Sequence, residues 1–174
     1  MILDITYNEI EAALRAMDAE LAAHPQGKLL YIAPYLGQYV NEKKVNGWNQ
    51  PAALIELSAI EWDDYNSLSQ TGKLTVNIHI VMKSYADGWE KSRDKAKFLE
   101  LYSYPGLINK GLQGHSGTHF TGLMRRADVT DIAPDGLYVH VIRYETVVQD
   151  KSTSRKNRYI MTEPDSVDLE LEKQ

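Results

Sequence analysis

The sequence predicts one α+β domain whose mostly antiparallel sheet is packed by an N-terminal helix and a second, central helix. Three observations carry the prediction. Residues 7–23 place apolar side chains at helical spacing, Leu74, Val76, Ile78, Ile80 and Met82 alternate with Thr75, Asn77 and His79, and Pro134-Asp135-Gly136 separates two further alternating runs. Strands interrupted by only two helices argue for antiparallel pairing and against a doubly wound nucleotide-binding sheet.

The first helix has a start signal. Thr6 followed by Glu9 reads as a capping box that satisfies the first backbone N–H groups, with Ile5 and Ile10 at the staple positions. Ile10, Ala13, Leu14, Met17 and Leu21 form its apolar face, Glu11, Arg15, Asp18 and Glu20 its wet face, and Pro25 and Gly27 close it, giving a helix from Tyr7 to Ala23. Lys28 to Ala33 reads as a strand, and Tyr35 to Pro51 as a long ordered loop or hairpin holding Tyr39, Val45 and Trp48. Ala52 to Ile60 is the next strand, half-buried by its alternation, and Trp62-Asp63-Asp64-Tyr65-Asn66 leads through a loop to Gly72 and the strand Leu74 to Met82.

Ser92 is placed to cap the central helix, which carries Phe98, Leu99, Leu101 and Tyr102. Pro105-Gly106 is expected to break it, with a further turn through Leu107, Ile108 and Leu112 to Gly114. A glycine-rich loop precedes a strand from Thr121 to Thr130. After the Pro-Asp-Gly turn, Leu137, Val139 and Val141 alternate with Tyr138, His140, Ile142 and Tyr144 as the return strand. Residues 1–150 thus form the domain. Residues 151–174 form a charged extension, basic at Lys151, Arg155, Lys156 and Arg158 and acidic from Glu163 to Glu172. Val167, Leu169 and Leu171 alternate with acids there, which fits either an arm that adds to a neighbouring sheet or a solvated terminus.

Composition narrows the function. With 174 residues, 43% hydrophobic and 25% charged, the chain has enough apolar material for a core. A net charge of −5 suits neither duplex wrapping nor sequence-specific nucleic-acid binding, which draw on Lys and Arg facing phosphates. The absence of cysteine excludes disulfides, thiolate metal sites and thiol catalysis. No signal peptide is read at Met1-Ile2-Leu3-Asp4, and the longest apolar run, Leu29 to Ala33, is far below the roughly 20 residues of a membrane span, so a cytosolic protein without a membrane partner is expected.

A search for chemistry leaves no catalytic, metal or cofactor residues. His115 and His119 have ligand spacing, but Ser116-Gly117-Thr118 places them in a loop with no third ligand in view. Gly111, Gly114, Gly117 and Gly122 lack the order of a phosphate cradle, and Gly72-Lys73 is followed by Leu74 where a P-loop needs Ser or Thr. Glu61, Asp63 and Asp64 read as a strand end turning into solvent. His79 and His140 lie mid-strand, either as sheet-face side chains or as a pair that orient one another in a cleft. Eleven tyrosines against two phenylalanines stand out. Tyr31, Tyr35, Tyr39, Tyr138 and Tyr144 suit half-buried sheet positions and surfaces that meet other surfaces.

The order of elements from residue 5 to 148 resembles the tail terminator, or tail-completion, proteins of long-tailed bacteriophages and prophages. The resemblance lies in the amphipathic helix Tyr7 to Ala23, the strand pair Ala52 to Ile60 and Leu74 to Met82, the helix Asp94 to Leu112 with its leucine-rich end, and the hairpin Gly122 to Val147. It implies an α+β fold without catalytic residues or cofactors, assembled as a ring, usually hexameric, at the head-proximal end of the tail tube. Its implied partners are copies of itself, the tube and the neck; its implied locations are the host cytoplasm during assembly and then the virion tail. A ring needs a heterologous interface, for which the candidate residues are Val167, Leu169 and Leu171 of the arm with Tyr138 and Tyr144 of the last strand. The alternatives are another neck or head-completion protein, or a small enzyme or ligand-binding domain using His79, His140 or the His115/His119 loop.

Overall fold

The apolar positions 10, 14, 17 and 21 do share one helical face, but the helix begins before the cap signal. In the computed structural model, which describes residues 2–40, 49–66, 69–83, 95–133 and 137–150, α1 spans Ile2–Ala16 and, after Met17, α2 spans Asp18–Ala22. Ile2, Leu3 and Tyr7 pack against the core, and that burial carries the helix a turn further back than capping chemistry alone predicts. Thr6 therefore lies inside α1, fully buried, with no hydrogen-bond partner for its hydroxyl among the described residues. Ile5 faces solvent instead of stapling.

Among the described residues five strands form one sheet: β1 (Tyr31–Pro34), β2 (Ala52–Asn66), β3 (Ser69–Lys83), β4 (Met124–Ala133) and β5 (Leu137–Asp150), in the order β1-β2-β3-β5-β4. Among these strands β1 and β2 run parallel, and the β2–β3, β3–β5 and β4–β5 pairs are antiparallel. The fold is thus the expected α+β arrangement. β2 and β3 are longer than the sequence indicated. Trp62 to Asn66 and Ser69 to Lys73 continue the ladder, with Trp62 opposite Gly72. A side chain at Gly72 would sit 2.7 Å from Ile60 Cγ2 and 2.8 Å from Trp62 Cε3, so the bare glycine leaves room for the indole. The turn at 134–136 and the extension 151–174, with Val167, Leu169 and Leu171, lie outside the described residues.

The central helix, α3 (Lys95–Leu112), runs through Pro105 without a break. Leu101, Tyr104, Pro105, Ile108 and Leu112 are all buried, and that packing offsets the backbone hydrogen bond the proline cannot donate. Gly114, at φ +78°, then turns the chain out of the helix.

The even-numbered residues of β3 and β5, with the odd-numbered ones of β2, face the helices and make the main core. Ile55, Ile78 and Ile142 lie side by side in it. The opposite face carries a smaller cluster of Tyr39, Leu54, Val81, Leu137 and Val139. Both sides of the sheet are therefore covered near its β1 end, the second one by the chain that follows β1.

Candidate functional site

The second face of the sheet holds a chain of polar side chains set by strand register. His79 lies opposite Leu54, Asn77 opposite Glu56, and Arg143 opposite Asn77, so alternation brings His79, Glu56, Asn77 and Arg143 onto one surface. His79 is 6% exposed. Its Nε2 lies 3.2 Å from Glu56 Oε2 and its Nδ1 2.8 Å from the Tyr39 hydroxyl. A carboxylate only accepts, so a neutral imidazole protonated on Nε2 donates to Glu56 and accepts from Tyr39. Glu56 Oε2 also accepts from Asn77 Nδ2 at 2.6 Å, and Asn77 Oδ1 accepts from Arg143 Nε at 3.3 Å. Burial pushes the His79 pKa below its ordinary value, and Glu56 opposes that shift.

The turn after β1 closes over this chain. Gly37, at φ +73°, supplies a left-handed residue that other side chains resist. Gln38 bridges the turn from within: its Oε1 accepts from Leu36 N–H and its Nε2 donates to the Pro34 carbonyl, both at 2.6 Å. The Tyr35 ring stacks on His79 at 4.0 Å and 12°. The arrangement therefore fastens the 35–40 turn to the sheet. Sequence reasoning singled out His79, Tyr35 and Tyr39 but missed Glu56, Asn77 and Arg143, which become a set only once three strands are in register.

The other candidates are dispersed. His140 pairs with Ile80 and so lies on the helix face, across the sheet from His79; the two cannot orient one another. Its neighbours are Thr130 at 3.4 Å and Asp128 at 3.7 Å, and burial lowers its pKa. His115 packs its ring 6.0 Å from Phe120, and the turn it shares with His119 is held by Glu9, which accepts from the Thr118 N–H and hydroxyl. Glu9 thus clamps this turn to α1 instead of closing a capping box, and those bonds lower its pKa. Among the described residues no group of three or more His, Cys, Asp or Glu side chains is placed to hold a metal ion. Tyr138 and Tyr144 are 5% and 0% exposed. Both rings fill the chain's own core, Tyr144 with its hydroxyl donating to Asn109 at 3.0 Å, so neither is offered to a neighbour.

Clefts open on the surface of the described residues. One of about 460 Å³ lies between α1 and β1–β2, lined by Leu3, Asp4, Tyr7, Tyr35 and Glu56. Another, about 200 Å³, lies where β4 begins against β5. Among the described residues no helix is long and apolar enough to cross a membrane.

No family model and no curated protein matches the sequence. A solved structure shares the fold: a chain from the virion of a native gene transfer agent particle superimposes with a TM-score of 0.55 at 11% identity. The match covers 86% of this chain and 98% of that one.

Proposed function

We propose that this chain is a non-enzymatic structural protein of a phage-type virion, a tail-terminator-like subunit that closes into a ring of about six copies. In this reading the ring caps the tail tube and joins it to the neck, is assembled in the host cytoplasm, and remains in the virion tail. The observation that carries the reading is the fold shared with a virion chain over almost that chain's whole length. The polar chain on the sheet supports it, because His79, Glu56, Asn77 and Tyr39 bond to one another and serve to hold a turn. A net charge of −5 also suits a passage through which DNA slides without sticking. Another neck or head-completion role would use the same physics at a different joint.

Native mass spectrometry of the full chain across a wide concentration range tests the proposal. A discrete closed oligomer of about six subunits is the expected result. A stable dimer counts against it and favours a binding module. Deleting residues 163–174 is expected to weaken assembly, and an unchanged oligomer distribution removes the arm from the interface.

A further inference from the structure

A strand edge left unpaired offers a row of backbone donors and acceptors to another strand. β2 has such an edge. β1 covers it from Ala52 to Ile55, and the Tyr35 N–H to Ile55 carbonyl bond at 2.9 Å is the last backbone bond on that side among the described residues. From there β2 continues to Asn66 paired with β3 alone among the described residues. Ile55 points its carbonyl to this edge, and the register shift between Ser58 and Ile60 hands the outward positions to Ile60 and Trp62.

The two faces of the edge differ. Ile60 and Trp62 lie opposite Leu74 and Gly72, on the helix side of the sheet, and Glu61 and Asp63 lie on the other. Trp62 is 40% exposed, and both acids are exposed. Lys73 is the partner of Glu61 in register, but its Nζ joins Glu145 at 3.1 Å. No ion pair among the described residues engages Glu61 or Asp63. Where β1 ends at Pro34, the 460 Å³ cleft brings Leu3, Tyr7 and Leu57 together beside the same edge.

The chain's own continuation matches this edge in position, length and charge. β5 ends at Asp150, opposite Gln70, which lies opposite Asp64 of β2. The C-terminal segment thus leaves the sheet beside the open end of β2, three strand spacings, about 15 Å, from a strand laid along its edge. The seven residues Lys151 to Asn157 reach up to about 25 Å, and a strand returning from there runs antiparallel to β2. Arg158-Tyr159-Ile160-Met161-Thr162 follows, rich in residues that favour strands. In an extended segment Tyr159 and Met161 share one face and Lys156 and Arg158 the other. The first pair suits Ile60 and the cleft, and the second suits Glu61 and Asp63. The short tether also gives this segment a millimolar effective concentration that a separate copy lacks.

We propose that Arg158–Thr162 returns along the free edge of β2 as a further, antiparallel strand of the same chain. Arg158 lies opposite Glu61, Tyr159 opposite Ile60, and Met161 beside Leu57 at the cleft. The inference is independent of the ring reading, whose arm is the acidic run that follows.

Hydrogen exchange on full-length chains tests it. Wild type is compared with Tyr159→Pro/Met161→Pro, which removes two backbone donors, and with Val167→Pro/Leu169→Pro as control. The Ile60 and Trp62 amides are expected to be protected in the wild type and the control, and to exchange about tenfold faster or more in the first variant. Protected β3 amides show that each chain is folded. Ile60 and Trp62 amides that exchange freely in the wild type, or stay protected in Y159P/M161P, overturn the proposal. Because the chain has no cysteine, Glu61→Cys/Arg158→Cys identifies the partner. Mild oxidation is expected to close a disulfide within one chain. A disulfide that forms only between chains, when E61C and R158C are mixed, assigns the edge to a second copy and overturns the intrachain strand. The absence of either disulfide overturns the register.

Discussion

The Tyr39 hydroxyl lies 2.8 Å from Nδ1 of His79, joining a turn to a strand forty residues away in sequence. Both side chains are buried, so the bond cannot be replaced cheaply by water. Tyr39→Phe keeps the ring and removes the donor, leaving the imidazole nitrogen unsatisfied. The substitution is expected to cost about 1–2 kcal/mol, read as a lower urea midpoint with an unchanged m value. A midpoint equal to the wild type's would show that water reaches Nδ1.

Acidification acts on the same bond. Burial holds His79 neutral to a lower pH in the fold than in the unfolded chain, whose ordinary value is 6.5. Its contribution is complete above that value and is lost as pH falls below it toward the folded pKa. His140 shifts in the same direction, again by burial first. The groups facing His79 are Glu56, Tyr35 and Tyr39, with Arg143 reached through Asn77. The urea midpoint is expected to fall between about pH 7.5 and 5.5 and to fall less in His79→Gln. An identical slope in that variant would assign the pH dependence to other groups.

Glu9 works in a separate window. Its carboxylate accepts from the Thr118 amide and hydroxyl, and those bonds lower its pKa from 4.5. The contact contributes above that value and is lost as pH falls through the lowered pKa. Because the pair is solvent-exposed, Glu9→Gln is expected to cost no more than about 1 kcal/mol. The sharper readout is hydrogen exchange, where the Thr118 amide should lose protection while amides of β3 keep theirs. Unchanged protection at Thr118 would show that the turn is held without Glu9.

Glu9 also marks where sequence reasoning stops. Alternation at Leu74, Val76 and Ile78 is a local signal of period two, so β3 and the face it buries could be read directly. The spacing of Ile10, Leu14 and Leu21 likewise revealed one helical face. The Thr6–Glu9 pair obeys a local rule that burial of Ile2 and Leu3 overrides, and Glu9 then finds a partner 109 residues away. The extra length of β2 and β3 depends on Trp62 lying across Gly72, a fit between two strands that neither segment announces alone. The polar chain from Tyr39 to Arg143 needs three strands in register and a folded turn, so only its histidine and tyrosines stood out beforehand.

The contact between Gly111 and Met17 offers a test of how the helices meet. A Cβ at Gly111 would collide with the Met17 side chain at its Sδ, Cε and Cγ atoms, so the missing side chain lets α3 close on the junction between α1 and α2. On an open helix surface, Gly→Ala would stabilise by roughly 1 kcal/mol. Here overpacking opposes that gain, and Gly111→Ala is expected to destabilise by about 1–3 kcal/mol. In a Met17→Ala background the obstruction is gone, and the same substitution should become neutral or stabilising. A double-mutant cycle followed by urea unfolding measures the difference as a coupling energy. Additive effects would mean that the thioether swings aside freely and that helix spacing here is set by Leu14, Ile108 and Leu112 instead.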